Sequence, residues 1–261
     1  MFDSFATIDA VVVFPVPGDL LKERYPHLKL AVGEALQCPT ILDNGFGGHR
    51  IEGIGDKHIP WIHNVKNTDM AIAIDDEDSQ RLLRLFNTPE GQKYMKDELG
   101  MSDEEVRKMT WLGISGIANV LCCIKMAKYY ELTENDVVAT VLTDSAVMYQ
   151  SRIEELNQMH GAYNAHEAAL DHNLHMLGLK TDSMLELTYT VSQEAPTCPH
   201  MEDTFTMAPL WRRSISTAAA RLLPFFRAAK GITFFLRCQA LTGVFCRSLQ
   251  VFTPNLHLFL P

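Results

Sequence analysis

The sequence predicts an α/β fold in which a parallel sheet is covered by helices on both faces, giving three layers. Short apolar runs at 10–16, 28–33, 70–74 and 137–142 have the composition of buried parallel strands. Stretches of helical character separate these runs, and such alternation favours a parallel sheet flanked by helices. With 47% hydrophobic residues among 261, the chain has ample material for a core.

The first two boundaries follow from local chemistry. Pro15 and Pro17 end the first strand, because proline cannot donate a hydrogen bond to a neighbouring strand. The third strand, 70–74, is followed by the acidic run Asp75–Asp78. Carboxylates suit the positive end of a helix dipole, so this run predicts the start of a helix.

The next elements lead to the candidate site. Residues 102–105 have the spacing of a capping box, and an apolar, buried helix is predicted over 115–130. Ser115 is expected to cap that helix by accepting a hydrogen bond from its first turn. The strand 137–142 ends in small polar residues that include Ser145, and an amphipathic helical region is predicted from there to about Leu177. Because ligands of open α/β sheets bind outside the carboxyl ends of strands, Ser145 is predicted to lie at a ligand site.

Charge divides the chain into two parts. Residues 196–261 hold seven Lys and Arg against two Asp and Glu, and no acidic residue follows Asp203. We expect residues 1–195 to form the α/β domain and residues 196–261 an irregular basic tail, either poorly ordered or helical. Contact of this tail with an anionic membrane or with nucleic acid is the alternative, but its cations are scattered rather than clustered.

Composition also limits the partners and the setting. A net charge of −9 and a pI near 5.5 argue against a nucleic-acid partner. No run of about 18 apolar residues predicts a membrane span, and the N-terminus lacks the pattern of a secretory signal. The six cysteines form no Cys-x-x-Cys pair, which favours a reduced, cytoplasmic location with the thiols as core residues.

Several motifs resemble one known family. Residues 51–55 (Ile-Glu-Gly-Ile-Gly) and 58–60 (His-Ile-Pro) resemble the Ile-Gln-Gly-Ile-Gly turn and Phe-Ile-Pro segment of the cysteine synthase and cystathionine β-synthase family. Residues 113–119 resemble its Gly-Ile-Ser-Ser-Gly helix start, and residues 143–145 its Leu-Pro-Asp-Ser strand end. The resemblance covers residues 5–190. It implies the large domain of a fold type II pyridoxal phosphate enzyme, and a chain that is a truncated, C-terminal portion of such an enzyme.

The resemblance implies site residues and chemistry. Ser145 matches the serine that hydrogen-bonds the pyridine nitrogen of pyridoxal phosphate. Gly53 and Gly55 match the loop that flanks this cofactor, although a turn that needs positive φ explains them equally well. Ser115 matches the helix start behind the site. The implied substrate is a small amino acid that undergoes β-elimination and replacement, and the implied assembly is a homodimer.

Two departures from the family predict lost activity. Where the family has a Gly-Thr-Gly-Gly-Thr loop that binds the cofactor phosphate, residues 13–19 keep only Gly18, and Asp19 adds negative charge. No lysine lies in a motif that matches the family's Schiff-base lysine, so no catalytic residue is assigned. The alternative function is a catalytically inactive binding or scaffold protein of the same fold. A nucleotide-binding α/β protein is a third interpretation, disfavoured because no intact glycine-rich loop follows the first strand.

A metal site is the last alternative. His172 and His175 have i, i+3 spacing and could ligate a metal on one helix face. The neighbouring Glu167 and Asp171 favour a solvated face instead, and no metal ligand is assigned.

Overall fold

The computed structural model of the protein describes residues 10–12, 21–23, 25–55, 57–59, 63–133, 136–140, 142 and 144–188. Gly18 and the predicted tail at 196–261 therefore lie outside the described residues. Within that part of the chain the strands are β1 (Ala10–Val12), β2 (Lys29–Ala35), β3 (Met70–Ile74), β4 (Val138–Thr140) and β5 (Met184–Glu186).

These strands form one sheet in the order β4-β1-β2-β3-β5. Strand β1 pairs in parallel with both β2 and β4, so that Val11 lies opposite Leu30 on one side and Ala139 on the other. Strand β3 continues the parallel set beside β2, and β5 adds an antiparallel edge next to β3. The predicted α/β fold with a parallel sheet is confirmed, and the run at 70–74 forms a strand with the predicted bounds.

Helices follow in chain order, and local signals explain where they begin. Asp75 accepts a hydrogen bond from Glu77 N–H at 2.8 Å, and Ser102 and Glu105 form both bonds of a capping box, as predicted. Taken over the described residues, no single helix is long and apolar enough to cross a bilayer. The third and fourth helices pass that test only as a pair, which is bent by 108°. The helices are α1 (Asp76–Asn87), α2 (Pro89–Asp97), α3 (Asp103–Met109), α4 (Ile114–Tyr129), α5 (Gln150–His160) and α6 (Ala165–His172).

Helix α4 covers one face of the sheet. A Cβ added to Gly33 of β2 would lie 3.1 Å from Cys122 Sγ, so the helix and the strand approach closely. Burial raises the pKa of the Cys122 thiol to about 12, which keeps it protonated and unreactive at neutral pH. Cys38, Cys122 and Cys123 are all buried and free. These three thiols are therefore core residues, as predicted.

The opposite face is covered by the segment between β2 and β3. Val32 and Ala71 of the sheet pack there against Ile41 and Val65. Buried Glu34 fixes the turn that follows β2, since its carboxylate accepts hydrogen bonds from the backbone N–H groups of residues 41 and 42 at 2.8 and 3.1 Å. With both faces covered, a ligand has access to the sheet at the strand ends rather than at a face.

The helical region after β4 differs from prediction. It breaks at Gly161, which has a φ of 77°, and Asn164 starts α6 by accepting two backbone hydrogen bonds. The solvated face predicted for this region is wrong for Asp171 and His172, which are only 2% and 4% exposed. The buried Asp171 carboxylate is stabilised by a hydrogen bond that the Tyr163 hydroxyl donates to it at 2.9 Å. Across the described ranges, no cluster of three His, Cys, Asp or Glu side chains could hold a metal ion.

Candidate active site

The candidate site lies where the carboxyl end of β4 meets the start of α4. The Gly113 N–H donates to the Asp144 carbonyl at 3.2 Å, and the Ala146 N–H donates to the Thr110 carbonyl at 3.2 Å. These two backbone bonds join the segment after β4 to the turn before α4. They fix the positions of the polar residues on both segments.

Helix α4 is not capped as predicted. Its N-cap is Gly113, and Ser115 lies inside the first turn, 3% exposed. A Cβ on Gly113 would overlap Asp144 Oδ1. The expectation that Ser115 caps the helix is wrong, because the Asp144 carboxylate occupies the space beside the N-cap and admits only glycine there.

Asp144 is held by one strong partner. The Tyr149 hydroxyl donates to Asp144 Oδ2, whereas Oδ1 is buried and has no hydrogen-bond partner among the described residues. Burial raises the pKa of Asp144, and the nearby negative charge of Glu52 adds to the rise, while the Tyr149 hydrogen bond opposes it. Burial likewise raises the pKa of Tyr149. Asp144, with its raised pKa, therefore lies next to the N-terminal end of α4, where the helix dipole is positive.

A glycine turn at residues 51–55 forms the adjacent wall. Buried Ile51 and Ile54 anchor it, and Gly53 and Gly55 adopt φ values of 91° and 88°. A Cβ on Gly53 would make ordinary contact with Ser115 at 3.6 Å. Gly53 is therefore required by backbone conformation, and the turn rests directly on the first turn of α4.

His49 supports the other end of this turn. A Cβ on Gly55 would lie 2.7 Å from His49 Nε2, so the imidazole fills the space beside Gly55. Behind it, Asp76 Oδ2 accepts a hydrogen bond from the Arg50 N–H at 2.7 Å. Asp76 Oδ1 and His49 Nδ1 are buried and lack partners in the described part of the chain. Burial raises the pKa of Asp76, which the neighbouring histidine partly offsets.

An ion pair ties the turn to α5. Arg152 donates through Nε and Nη2 to Glu52 Oε1 at 2.8 and 2.5 Å, and through Nη1 to Glu155 at 2.8 Å. Both Arg152 and Glu52 are about two-fifths exposed, so the pair adds little to stability. Its role is to hold the turn against the helix that follows the site.

The structure locates the predicted site residues as follows. Ser145 lies five residues after the end of β4, half-buried, at the start of a 3-10 helix over Ala146–Tyr149. Its hydroxyl makes no hydrogen bond to any residue that the structure describes. Gly53 packs against Ser115 in the first turn of α4, which begins after Gly113 beside Asp144. Gly55 lies two residues further along the same turn. The assignment of Ser145, Gly53 and Gly55 to a cofactor remains a prediction, as does that of Gly18 outside the described residues.

Sequence reasoning missed His49, Asp144 and Tyr149. The signal for Asp144 was available, since it precedes Ser145 in the same polar strand end. His49 also lies two residues before the glycine turn. Neither position indicates by itself that the side chain will be buried against a glycine, which depends on contacts across the fold.

Comparison with known proteins gives relatives for part of the chain. No protein-family model matches it. A cysteine synthase B of Campylobacter jejuni is 28% identical over 134 residues, which are 51% of this chain and 38% of that protein. A cysteine synthase of Staphylococcus aureus is 25% identical over 134 residues, 37% of its length. The chain thus matches less than two-fifths of the length of these curated relatives.

Solved structures show a partial likeness. The O-acetyl serine sulfhydrylase isoform 3 of Entamoeba histolytica aligns with a TM-score of 0.46 and 18% identity, covering 66% of this chain and 47% of that one. An O-acetylserine dependent cystathionine beta-synthase of Helicobacter pylori aligns with a TM-score of 0.43 and 24% identity, covering 57% and 45%. The sequence motifs and the 134-residue match agree, and over that segment the chain is similar to named cysteine synthases.

Proposed function

We propose that this chain forms the part of a cysteine synthase-like, pyridoxal phosphate-dependent protein that lies against the cofactor ring. One observation carries the proposal: Ser145 presents a hydroxyl without a partner, among the described residues, just beyond the carboxyl end of a parallel strand. Such a hydroxyl can donate a hydrogen bond to a pyridine nitrogen. The named relatives, which are cysteine synthases, support the same family chemistry.

The residues present fit the ring side of the cofactor. The Ser145 hydroxyl would hydrogen-bond the ring nitrogen, and the positive-φ turn at Gly53 and Gly55 would let backbone approach the substrate. When bound, pyridoxal phosphate supplies an electron sink for negative charge that develops on an amino acid. A neutral hydroxyl at the nitrogen tempers that sink, which favours β-elimination and replacement.

The fit on the phosphate side rests on sequence alone. Gly18 is the remaining glycine of the segment that corresponds to the family's phosphate loop, and Asp19 beside it would repel a dianion. We therefore expect weak cofactor binding. This segment also favours the second candidate function, a binding or scaffold protein of the same fold that performs no catalysis.

We do not propose that this chain is catalytically active by itself. No lysine in the sequence matches the family's Schiff-base motif, so this chain is proposed to bind the cofactor without a covalent link. We further propose a small amino acid as the substrate class, a homodimer as the assembly and a cytoplasmic location. Light scattering coupled to size exclusion tests the dimer, and a mass of one chain would contradict it.

Titration of the full chain with pyridoxal phosphate tests the proposal. We expect saturable binding, and Ser145→Ala should weaken it about fivefold through loss of one hydrogen bond. Thr181→Ala, which removes an exposed hydroxyl outside the site, is the matched control and should bind as wild type does. Equal binding by all three proteins, or no binding, would contradict the role of Ser145.

Borohydride reduction tests whether a lysine of this chain forms a covalent link with pyridoxal phosphate. Treatment of the mixture followed by peptide mass spectrometry should find no single lysine that is modified stoichiometrically. One specifically modified lysine would show a covalent anchor and would overturn the inactive interpretation. The binding result with Ser145→Ala stands independently of this outcome.

A further inference from the structure

A groove of about 310 Å³ lies beside the glycine turn, between α1, α5 and the segment that enters the turn. This volume is at the lower end of the range of small-molecule sites. Arg50 and Gln80 line one wall, and Arg152, Leu156 and Met159 line the other. The groove is separate from Ser145, and the proposed function does not use it.

The two arginines that line the groove differ in their ion pairs. Arg152 is already paired with Glu52 and Glu155. The guanidinium of Arg50 contacts the Met159 sulfur at 3.9 Å, and it has no carboxylate partner in the described part of the chain. The Asp76 carboxylate accepts a hydrogen bond from the Arg50 backbone N–H, and the positive charge of Arg50 also helps to lower the pKa of that carboxyl. Arg50 is exposed and forms no ion pair within the described residues, so its guanidinium is accessible to a ligand.

The groove also has an apolar side. Leu156 is 1% exposed and Met159 is 51% exposed, and both line the same wall of the groove. Glu155 faces the same space and would repel a second negative charge on a ligand. A single carboxylate attached to a short apolar body matches an accessible guanidinium, apolar side chains and one carboxylate among the lining residues.

We propose that this groove binds a small organic monocarboxylate, with its carboxylate on Arg50 and its apolar chain along Leu156 and Met159. One wall is bonded to the glycine turn and the other to the residue before it. Gln80 Nε2 donates to the Arg50 carbonyl at 3.0 Å, and Arg152 holds Glu52 of the turn. A ligand in the groove therefore contacts the residues that position the turn.

Binding is tested on the full chain without added pyridoxal phosphate, using hexanoate and its uncharged analogue hexanamide as probes. Chemical shift titration should give saturable millimolar binding of hexanoate, and hexanamide should bind about fivefold more weakly because it lacks the charge. Shifts should appear at Arg50, Leu156 and Met159. No saturable shifts at these residues would overturn the proposal.

Variants separate the charge from the apolar contact. Arg50→Gln should reduce the affinity for hexanoate to that for hexanamide, and Met159→Ser should weaken both probes. Arg107→Gln, which removes an exposed arginine of α3 outside the groove, is the matched control and should leave binding unchanged. If hexanoate binds Arg50→Gln as tightly as wild type, the assigned role of Arg50 is wrong. Cofactor binding at Ser145 is measured separately and does not depend on this result.

Discussion

Lysine side chains make hydrogen bonds at the C-terminal end of α4, whereas at its N-terminal end one buried oxygen of Asp144 has no partner among the described residues. Lys128 Nζ donates to the carbonyls of Leu177 and Leu179 at 3.3 and 2.9 Å. Lys125 Nζ donates to the Ala73 carbonyl at 3.1 Å and pairs with Asp182 at 3.2 Å. Cations suit this negative end of the helix dipole.

At the other end of α4, the described residues provide no side-chain cap. The Asp144 carboxylate contacts Gly113, with one oxygen unpartnered among those residues. Unpaired buried oxygens reduce stability, so their presence at the strand ends is expected where a ligand supplies the missing partner. The contacts of Lys125 and Lys128 stabilise one end of the helix, and the Asp144 oxygen that is unpaired among the described residues agrees with the binding site proposed at the other end.

The largest expected effect is at the N-terminal end. Gly113→Ala should lower the free energy of unfolding by about 3 kcal/mol, because the new methyl group overlaps the Asp144 carboxylate. Urea unfolding measures the loss. Gly48→Ala is the control, since a Cβ there meets nothing within 4 Å among the described residues.

A double variant sharpens this test. Gly113→Ala combined with Asp144→Ala removes the obstructing carboxylate, so the two substitutions should be strongly non-additive. Additive losses would mean that Asp144 is not what excludes a side chain at residue 113. If Gly113→Ala lowers the free energy of unfolding as little as Gly48→Ala does, there is no close contact between residue 113 and Asp144.

A smaller effect is expected at the C-terminal end. Lys125→Met keeps the length of the side chain but leaves the Ala73 carbonyl without that donor, and should cost about 1 kcal/mol. Asp182 is 66% exposed and regains water, so its lost ion pair adds little. Lys93→Met, at an exposed position of α2, serves as the control in the same unfolding assay. Equal stability of the two variants would contradict a stabilising role for Lys125.

The two ends also differ in how much could be predicted from the sequence. The strand at 70–74 and the capping box of Ser102 and Glu105 follow from contacts within a few residues, and both were predicted correctly. The N-cap at Gly113 could not be predicted, because Asp144 lies 31 positions later and reaches it only through the sheet. Buried Asp171 was missed for the same reason, since its partners are set by how α6 packs on α1.

The smallest expected effect concerns pH at the N-terminal end of α4. Because the pKa of Asp144 is raised in the folded protein, the folded state keeps a proton that the unfolded chain has lost. The stability that this group contributes is complete below its ordinary pKa of 3.8 and is lost as pH rises through the raised value. Burial is the main cause of the raised pKa of Asp144; the Tyr149 hydrogen bond opposes it and the charge of Glu52 adds to it.

Asp144→Asn removes this titration while keeping the size of the side chain. Relative to the variant, wild type should therefore become less stable as pH rises from about 3 to about 7, as measured by urea unfolding at each pH. Asp97→Asn, at the exposed end of α2, should show no such trend relative to wild type. A pH-independent difference between wild type and Asp144→Asn would mean that burial beside Gly113 does not favour the protonated carboxyl, and the contrast between the two ends of α4 would then rest on packing alone.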